Sequence, residues 1–194
     1  MNINRRQFLQ ATAAAATVAA VPKLGAAPSE VVEPRIRVVT SLGSRGMSDI
    51  AHKAVIEKAV SESNKYICII APTYRQAKII MWSRLCRDLG HRNVADEFMH
   101  TQMEIKLKNG SRVLLRGAEE PHSMQGYHLN HVVFLESHKI DPYVWDVVVM
   151  PSLATTQGTA DITGDSRYTF DNHLLGASRK IAKTENPHFG LIEL

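Results

Sequence analysis

Short apolar runs alternate along this 194-residue chain with segments of helical periodicity, and this alternation restricts the possible folds. The run YICIIA at residues 66–71 is apolar throughout, which is typical of a strand buried on both faces of a parallel sheet. The run HVVFLE at residues 131–136 has the same character. Strands that alternate with helices predict an α/β domain with a mainly parallel sheet and crossover helices.

The pattern predicts further elements around these two strands. Strands are predicted at 35–41 and 159–163, and helices at 49–63, 75–89, 143–153 and 170–182. Residues 103–117 alternate on both sides of Asn109-Gly110, which predicts an antiparallel hairpin inserted into the sheet. Ligands of such folds bind at the carboxyl ends of the parallel strands. These ends are predicted at 41–49, 71–74, 135–138 and 163–167.

The first 27 residues have the layout of a secretory signal. A basic head with Arg5 and Arg6 precedes an alanine-rich apolar stretch and a run of small residues. The segment NRRQFLQ resembles the twin-arginine export motif. An alanine-rich amphipathic helix or a disordered tail is the alternative. We therefore divide the chain into a signal segment (1–27), a linker (28–34) and one domain (35–194). The sequence contains no run of about 20 apolar residues that would predict a membrane span.

Charge and cysteine content restrict the function classes. Arg5, Arg6 and Lys23 lie in the first 27 residues, which contain no acid, and without them the net charge falls from +4 to +1. Because the domain is nearly neutral, the basic isoelectric point is weak evidence for nucleic-acid binding. Cys68, on a predicted strand, and Cys86, on a predicted helix, predict two buried thiols and neither a metal site nor a disulfide framework.

Several segments, in order, resemble the ATPase domain of the large terminase subunits of tailed phages. YICIIAPTYRQAKIIMWSRL is similar to the family's strand, APTYxQAK motif and Trp-bearing helix. LKNGSRVLLRGAEEPHSMQGYHLNHVVFLES resembles its NGS hairpin, its PDSLRG-like turn and the strand that leads to an Asp-Glu pair. DPYVWDVVVMPSLATTQGTADITG matches its P-x-V-W-x-x-V-x-x-P-x-L segment and the next strand. The resemblance covers roughly residues 35–190.

The resemblance implies a P-loop α/β domain that hydrolyses ATP with Mg²⁺ and drives viral DNA into a capsid. Its implied partners are DNA, the portal protein and the small terminase subunit, and its implied location is the cytoplasm. A nuclease domain normally follows in the family, and since this chain stops at Leu194 we expect the ATPase domain alone. The twin-arginine signal instead implies the export machinery and a periplasmic location.

The segment LGSRGMSDI aligns with the family's phosphate loop, which reads like GxRxxGKT. The aligned positions are Gly43, Arg45, Gly46, Ser48, Asp49 and Ile50. Asp49 falls on the lysine and would repel the phosphates by roughly several kcal/mol, while Ile50 falls on the Ser/Thr and has no oxygen for Mg²⁺. We predict that Asp49 is a helix N-cap or a first-turn acid, aided by Ser48.

The family's Asp-Glu pair, which follows the strand at 131–136, is also altered in this chain. Leu135 stands on the metal-binding aspartate, and Glu136 stands on the catalytic glutamate. Glu136 is therefore the one catalytic candidate, and a solvated or salt-bridged structural role is its alternative.

Other charged family positions are also replaced. His122 and Asn130 stand where the family usually has Asp, and Gln125 stands where an Arg precedes Gly126. Glutamine cannot supply the charge of that arginine. The segment TGDSR (163–167) replaces a Thr-Pro-like segment thought to couple hydrolysis to movement.

Three functions follow from these patterns. The leading hypothesis is a terminase-like domain that has lost ATP binding and hydrolysis. The second is an active or partly active packaging ATPase, in which Arg45 supplies phosphate charge and Glu136 activates water. The third is an exported binding or structural module that reuses the fold. Within the third, histidines at the active edge could hold a metal with Glu136, although no tight ligand motif is present. These histidines are His122, His128, His131 and His138.

Overall fold

The computed structural model describes residues 35–42, 46–168, 170, 172–184 and 186–194. Within these residues, eight strands form one sheet. The strands are β1 (Ile36–Ser41), β2 (Tyr66–Ala71), β3 (Ala95–Met99), β4 (Glu104–Leu107), β5 (Arg112–Gly117), β6 (His131–Phe134), β7 (Thr159–Asp165) and β8 (Phe189–Glu193). Their order across the sheet is β3-β4-β5-β2-β6-β7-β1-β8.

Helices connect these strands and cover the sheet. They are α1 (Met47–Ser61), α2 (Tyr74–Ala77), a π-helical segment (Lys78–Trp82), α3 (Ser83–His91), α4 (Pro142–Val144), a second π-helical segment (Trp145–Val149), α5 (Met150–Thr156) and α6 (Leu174–Ala182). Short 3₁₀ turns lie at Pro121–Met124 and Ser137–Lys139. None of the helices in the described part of the chain is long and apolar enough to cross a bilayer.

The strand pairing confirms the predicted α/β class. The six strands β5, β2, β6, β7, β1 and β8 run parallel, and β4 and β5 form the predicted antiparallel hairpin around Asn109-Gly110. The strands at the two edges, β3 and β8, were not predicted. Both are short, and most of their residues are only partly buried, so neither shows the continuous apolar run that marks the inner strands.

Two apolar layers enclose the sheet, and β2 contributes to both. Ile67 and Ile69 belong to the cluster that includes helices α1 and α3, whereas Cys68 and Ile70 belong to the cluster that includes Trp145. Successive side chains of a strand point to opposite faces, so a strand buried on both faces must be apolar at every position. This explains the uninterrupted apolar run.

The helix that carries Pro151 continues past the proline. The sequence predicts Pro151 near the end of the helix or at a kink. The helix α5 continues to Thr156, and the π-helical segment Trp145–Val149 lies directly before it. Proline lacks an N–H and its ring crowds the preceding turn, and a wider π turn can accommodate both effects.

The two cysteines are free thiols, as predicted, but they differ in burial. Cys68 is buried in β2, and this burial raises the pKa of its thiol to about 12. Cys86 on α3 is only half-buried, and burial also raises the pKa of its thiol. Neither thiol therefore has the thiolate character of a reactive cysteine.

The NGS turn of the hairpin also caps the end of α1. The Nδ2 atom of Asn109 donates to the carbonyls of Ala59 and Glu62, at 2.9 Å each. The Oγ atom of Ser111 donates to the carbonyl of Glu62 at 2.7 Å and accepts from the backbone N–H of Lys65 at 3.1 Å. The last carbonyls of a helix have no partner within it, so these contacts fix the hairpin to the helix.

We expect Ser111→Ala to lower the free energy of unfolding by about 1–2 kcal/mol, because it removes two hydrogen bonds. The N–H of Lys65 loses its partner, whereas the carbonyl of Glu62 keeps its bond from Asn109. The measurement is urea denaturation followed by circular dichroism. Ser123→Ala is the matched control, since the exposed Ser123 bonds only the carbonyl of Glu120, and we expect it to cost less than about 0.5 kcal/mol. Equal losses in the two variants would contradict the capping role.

Candidate functional site

The predicted site lies at the carboxyl edge of the parallel strands. Strands β1, β2, β6 and β7 all end at this edge, because they are parallel neighbours in register. Gly46 and Asp49 lie at the start of the helix that comes after β1, and Leu135 and Glu136 follow β6 directly, so these four residues fall at this edge. Two other phosphate-loop positions, Gly43 and Arg45, lie outside the described residues, as do Arg5 and Arg6.

The N-terminus of α1 is capped by Gly46. Its φ of +88° is in the left-handed region that favours glycine, and its carbonyl accepts from the N–H groups of Asp49 and Ile50, at 3.1 Å each. The prediction that Asp49 could be the N-cap is therefore wrong, because Gly46 already begins the helix. Asp49 lies in the first turn instead, where the helix dipole favours a negative charge.

The carboxylate of Asp49 has a partner outside its own helix. It forms an ion pair with the guanidinium of Arg84 on α3, and its side chain is 67% exposed. One turn further along α1, the buried His52 places Nε2 3.4 Å from a carboxylate oxygen of Asp88. Burial and the neighbouring Arg84 lower the pKa of His52. Both contacts join the first turns of α1 to α3.

Leu135 carries no group that could hold a metal. It is buried, and it belongs to the same apolar cluster as Ala51 and Val55 of α1. Its backbone N–H donates to the carbonyl of Ile70 at 2.8 Å, which continues the pairing of β6 with β2. The position that the family gives to a metal-binding aspartate is thus part of the hydrophobic core.

Glu136 adopts a backbone conformation that is uncommon for a non-glycine residue. Its φ is +48°, and the chain turns there into the 3₁₀ turn Ser137–Lys139. Its carboxylate accepts from Nζ of Lys139 at 2.7 Å, and the side chain is 24% exposed. Glu136 therefore has the salt-bridged arrangement that the sequence left as an alternative to catalysis.

A buried polar network joins the ends of β6 and β7, and the sequence reasoning missed it. The hydroxyl of Thr163 donates to the carbonyl of Phe134 at 2.7 Å, and the hydroxyl of Ser137 donates to the carbonyl of Thr163 at 2.8 Å. The Nδ1 atom of His138 accepts from the backbone N–H of Asp165 at 3.3 Å. Burial, followed by Lys139, lowers the pKa of His138.

Asp165 and Arg167 form the charged part of this network. The carboxylate of Asp165 is only 4% exposed, and it accepts from Nε of Arg167 at 3.0 Å and from the backbone N–H of Arg167 at 3.0 Å. Asp165 is in register with Ser41, the last residue of β1. The sequence places TGDSR (163–167) at a ligand-binding strand end and in the position of a family motif, but nothing in the linear pattern shows that Asp165 and Arg167 pair there.

The APTY and GA segments meet at the start of α2. The side chain of Thr73 accepts from the N–H of Gln76 at 3.2 Å, and the carboxylate of Glu119 accepts from the N–H of Tyr74 at 2.7 Å. A Cβ atom at Gly117 would lie 2.4 Å from the backbone nitrogen of Tyr74, so only glycine allows this approach. His122 and Gln125 lie in the exposed turn that follows.

The histidines do not lie together at one edge of the sheet. The predicted cluster of histidines that would hold a metal with Glu136 is therefore wrong. His131 begins β6 and lies at the amino edge, whereas His138 follows the carboxyl end of the same strand. Asn130 is also at the amino edge, where its Oδ1 accepts from the N–H of Tyr66 at 2.9 Å. Among the described residues, no group of three or more His, Cys, Asp or Glu side chains is placed to hold a metal ion.

Solved structures of phage terminases share this fold. The large terminase ATPase domain of Thermus phage P74-26 superposes with a TM-score of 0.69 at 18% identity, over 82% of this chain and 75% of that one. The HK97 bacteriophage large terminase gives 0.66 at 13% identity, over 82% of this chain and 35% of that one. The large terminase of a thermophilic bacteriophage, in complex with ATP-gamma-S, gives 0.63 at 13% identity, over 86% of this chain and 41% of that one.

The domain has the fold of a phage terminase ATPase domain. The resemblance drawn from the sequence motifs is thereby confirmed at the level of fold. A search among curated proteins found no match to the sequence. Residues 2–22 match the family model for the TAT (twin-arginine translocation) pathway signal sequence, and this span includes Arg5 and Arg6.

The described residues that the sequence motifs align with the phosphate loop and the metal site lie at the carboxyl edge, and their side chains make other contacts. Asp49 is paired with Arg84, Leu135 is in the core, and Glu136 is paired with Lys139. The acid that is most deeply buried at this edge is Asp165, which the family motifs do not identify.

The buried histidines predict how stability depends on pH. Burial lowers the pKa of His131 from its ordinary value of 6.5 to about 4. Between pH values equal to these two pKa values, the unfolded chain binds more protons than the folded protein. The contribution of His131 to the free energy of unfolding is therefore complete above its unfolded-state pKa, and it is lost as the pH falls towards its folded-state pKa. The shifts of His52 and His138 act in the same direction.

We therefore expect His131 alone to remove about 2 kcal/mol of unfolding free energy between about pH 7 and about pH 5. Urea denaturation at the two pH values measures this loss, and His131→Asn should reduce it by about that amount. His91→Asn, at an exposed position of α3, is the control and should leave the loss unchanged. A loss of equal size in the wild type and in His131→Asn would contradict the assignment.

Proposed function

We propose that this protein carries a terminase-like ATPase domain that has lost ATP binding and hydrolysis. The observation that carries the proposal is the ion pair of Asp49 with Arg84. By the sequence resemblance, Asp49 aligns with the lysine of the family's phosphate loop. A lysine there would attract the β- and γ-phosphates, whereas a carboxylate repels them. Arg84 balances this charge but adds no net positive charge to the turn.

The residues at the metal position support the same proposal. ATP and Mg²⁺ are the cofactors that the terminase fold implies, and the residues present do not fit them. Ile50 and Leu135 replace the hydroxyl and the carboxylate that would bind Mg²⁺, and Leu135 is buried among apolar side chains. The ion pair with Lys139 also engages Glu136, which would otherwise orient the attacking water.

The test is isothermal titration calorimetry of the full chain with Mg-ATP, together with a phosphate-release assay. We expect neither saturable binding nor turnover, since the charge and metal ligands required for phosphoryl transfer are replaced. Asp49→Asn removes the repulsion without adding a positive charge, and we expect no turnover from it either. Saturable Mg-ATP binding with turnover that Glu136→Gln abolishes would overturn the proposal.

The alternative of a partly active packaging ATPase makes a different prediction. It requires phosphate release that DNA stimulates and that Arg45→Ala abolishes. DNA, the portal protein and the small terminase subunit would be its partners, by analogy with the terminases. The near-neutral charge of residues 28–194 gives no independent support for a DNA surface.

We further propose that the domain is exported as a non-enzymatic binding or structural module. The observation that favours export is the match of residues 2–22 to the twin-arginine signal model. The export machinery is then a partner and the periplasm the location, and the cytoplasm, where terminases act, is the alternative.

We expect Arg5-Arg6→Lys-Lys to block export, since the paired arginines define the signal. Cell fractionation followed by immunoblotting measures the periplasmic share of the chain. Arg35→Lys, outside the signal, is the control and should leave export unchanged. Retention of the unaltered chain in the cytoplasm would contradict this part of the proposal.

A further inference from the structure

A polar pocket lies at the amino edge of the sheet, opposite the edge that holds the phosphate-loop position. Two cavities of about 170 and 140 Å³ adjoin there, between the last turns of α1 and the starts of β6 and β7. Both are lined by Lys58, His131 and Thr159. Arg35, Arg37 and Asp161 line the second cavity as well.

His131 brings a buried donor without a partner to this pocket. Its side chain is 3% exposed, and its Nδ1 atom lies 2.8 Å from the hydroxyl of Thr159. The Nε2 atom is buried and has no hydrogen-bond partner, and the nearest carboxylate oxygen, on Asp161, is 3.7 Å away.

The carboxylate of Asp161 decides which nitrogen of His131 carries the proton. Arg37 bonds both oxygens of Asp161, at 2.7 Å each, in a two-pronged ion pair. A lone pair on Nε2 would face that negative charge, so the proton belongs on Nε2, and Nδ1 accepts from the hydroxyl of Thr159. The unpartnered group is therefore an N–H donor.

The other groups of the pocket are also mainly donors. The acids have partners, because Asp161 pairs with Arg37, and Glu62 pairs with Lys58 at 3.0 Å and with Lys65 at 3.6 Å. The guanidinium of Arg35 donates to the carbonyl of Gly158 at 3.2 Å, and no carboxylate of the described residues lies within ion-pair distance of it. In all, the two cavities are lined by four cations and three acids, namely Arg35, Arg37, Lys58 and Lys65, and Glu57, Glu62 and Asp161.

We propose that this pocket binds a small oxyanion, held by the Nε2–H of His131, the guanidinium of Arg35 and the ammonium of Lys58. An anion of this kind would satisfy the buried N–H and the excess positive charge together. The cavity that all three of these groups line has a volume of about 140 Å³, about half of the roughly 300 Å³ at which pockets for drug-sized ligands begin, which fits a small oxyanion. The site is also independent of the lost nucleotide site, since the sheet separates the two edges.

Inorganic phosphate is the probe, titrated into the full chain by isothermal titration calorimetry at fixed ionic strength. We expect saturable binding that Lys58→Met weakens by about tenfold, which corresponds to the loss of one charge-assisted hydrogen bond. Lys53→Met is the matched control, since Lys53 lies on the exposed face of the same helix, and it should leave the affinity unchanged. Equal weakening by both variants would show nonspecific attraction and would overturn the proposal, as would the absence of saturable binding.

A pair of substitutions at His131 tests the donor itself. Gln places an amide near the position of Nε2 and keeps a donor there, whereas Asn places its amide near Nδ1 and leaves no group at Nε2. We therefore expect His131→Gln to keep phosphate binding and His131→Asn to weaken it by about tenfold. In the wild type, nitrogen-15 NMR should show the Nε2–H tautomer and a shift of that resonance on adding phosphate. An Nδ1–H tautomer, or a resonance that phosphate leaves unmoved, would overturn the proposal.

Discussion

Burial of β2 on both of its faces is the constraint on which the rest of the domain depends. Parallel strands take both of its edges, so its backbone groups are paired without water, and its side chains alternate between two apolar clusters. A strand in this position needs cover on both faces, and parallel neighbours need crossover connections, which supply the covering helices. The carboxyl ends of the inner strands then meet at one edge, and their amino ends meet at the other.

The same scaffold carries different chemistry at its two edges. At the carboxyl edge, three acids among the described residues are paired with a nearby cation, in the pairs Asp49–Arg84, Glu136–Lys139 and Asp165–Arg167. At the amino edge, four cations and three acids line the pocket, and Nε2 of His131 is buried without a hydrogen-bond partner. The terminase fold is retained through apolar burial and hydrogen-bonded turns, and these do not depend on the residues that would hold a nucleotide.

Among the strands, sequence patterns predicted those that are largely buried and missed those that are mostly exposed or half-buried. The bounds of β2 were correct because every residue in it is apolar, and the hairpin was correct because Asn109-Gly110 marks its turn. The edge strands β3 and β8 were missed, since exposed positions accept polar residues and no period results. Of the two roles predicted for Asp49, the first-turn acid is confirmed and the N-cap is wrong, because the left-handed backbone of Gly46 is a property of the folded loop.

The sequence by itself determined the α/β architecture, the resemblance to terminase ATPase domains and the export signal, because periodicity and short motifs are local. Only the tertiary structure decided which polar groups meet. Asp49 and Arg84 are 35 residues apart and form a pair because α1 and α3 pack on the same face of the sheet. His131 and His138 are close in sequence but lie at opposite edges, because β6 runs between them. Contacts of this kind depend on strand order and register, which a linear pattern does not contain.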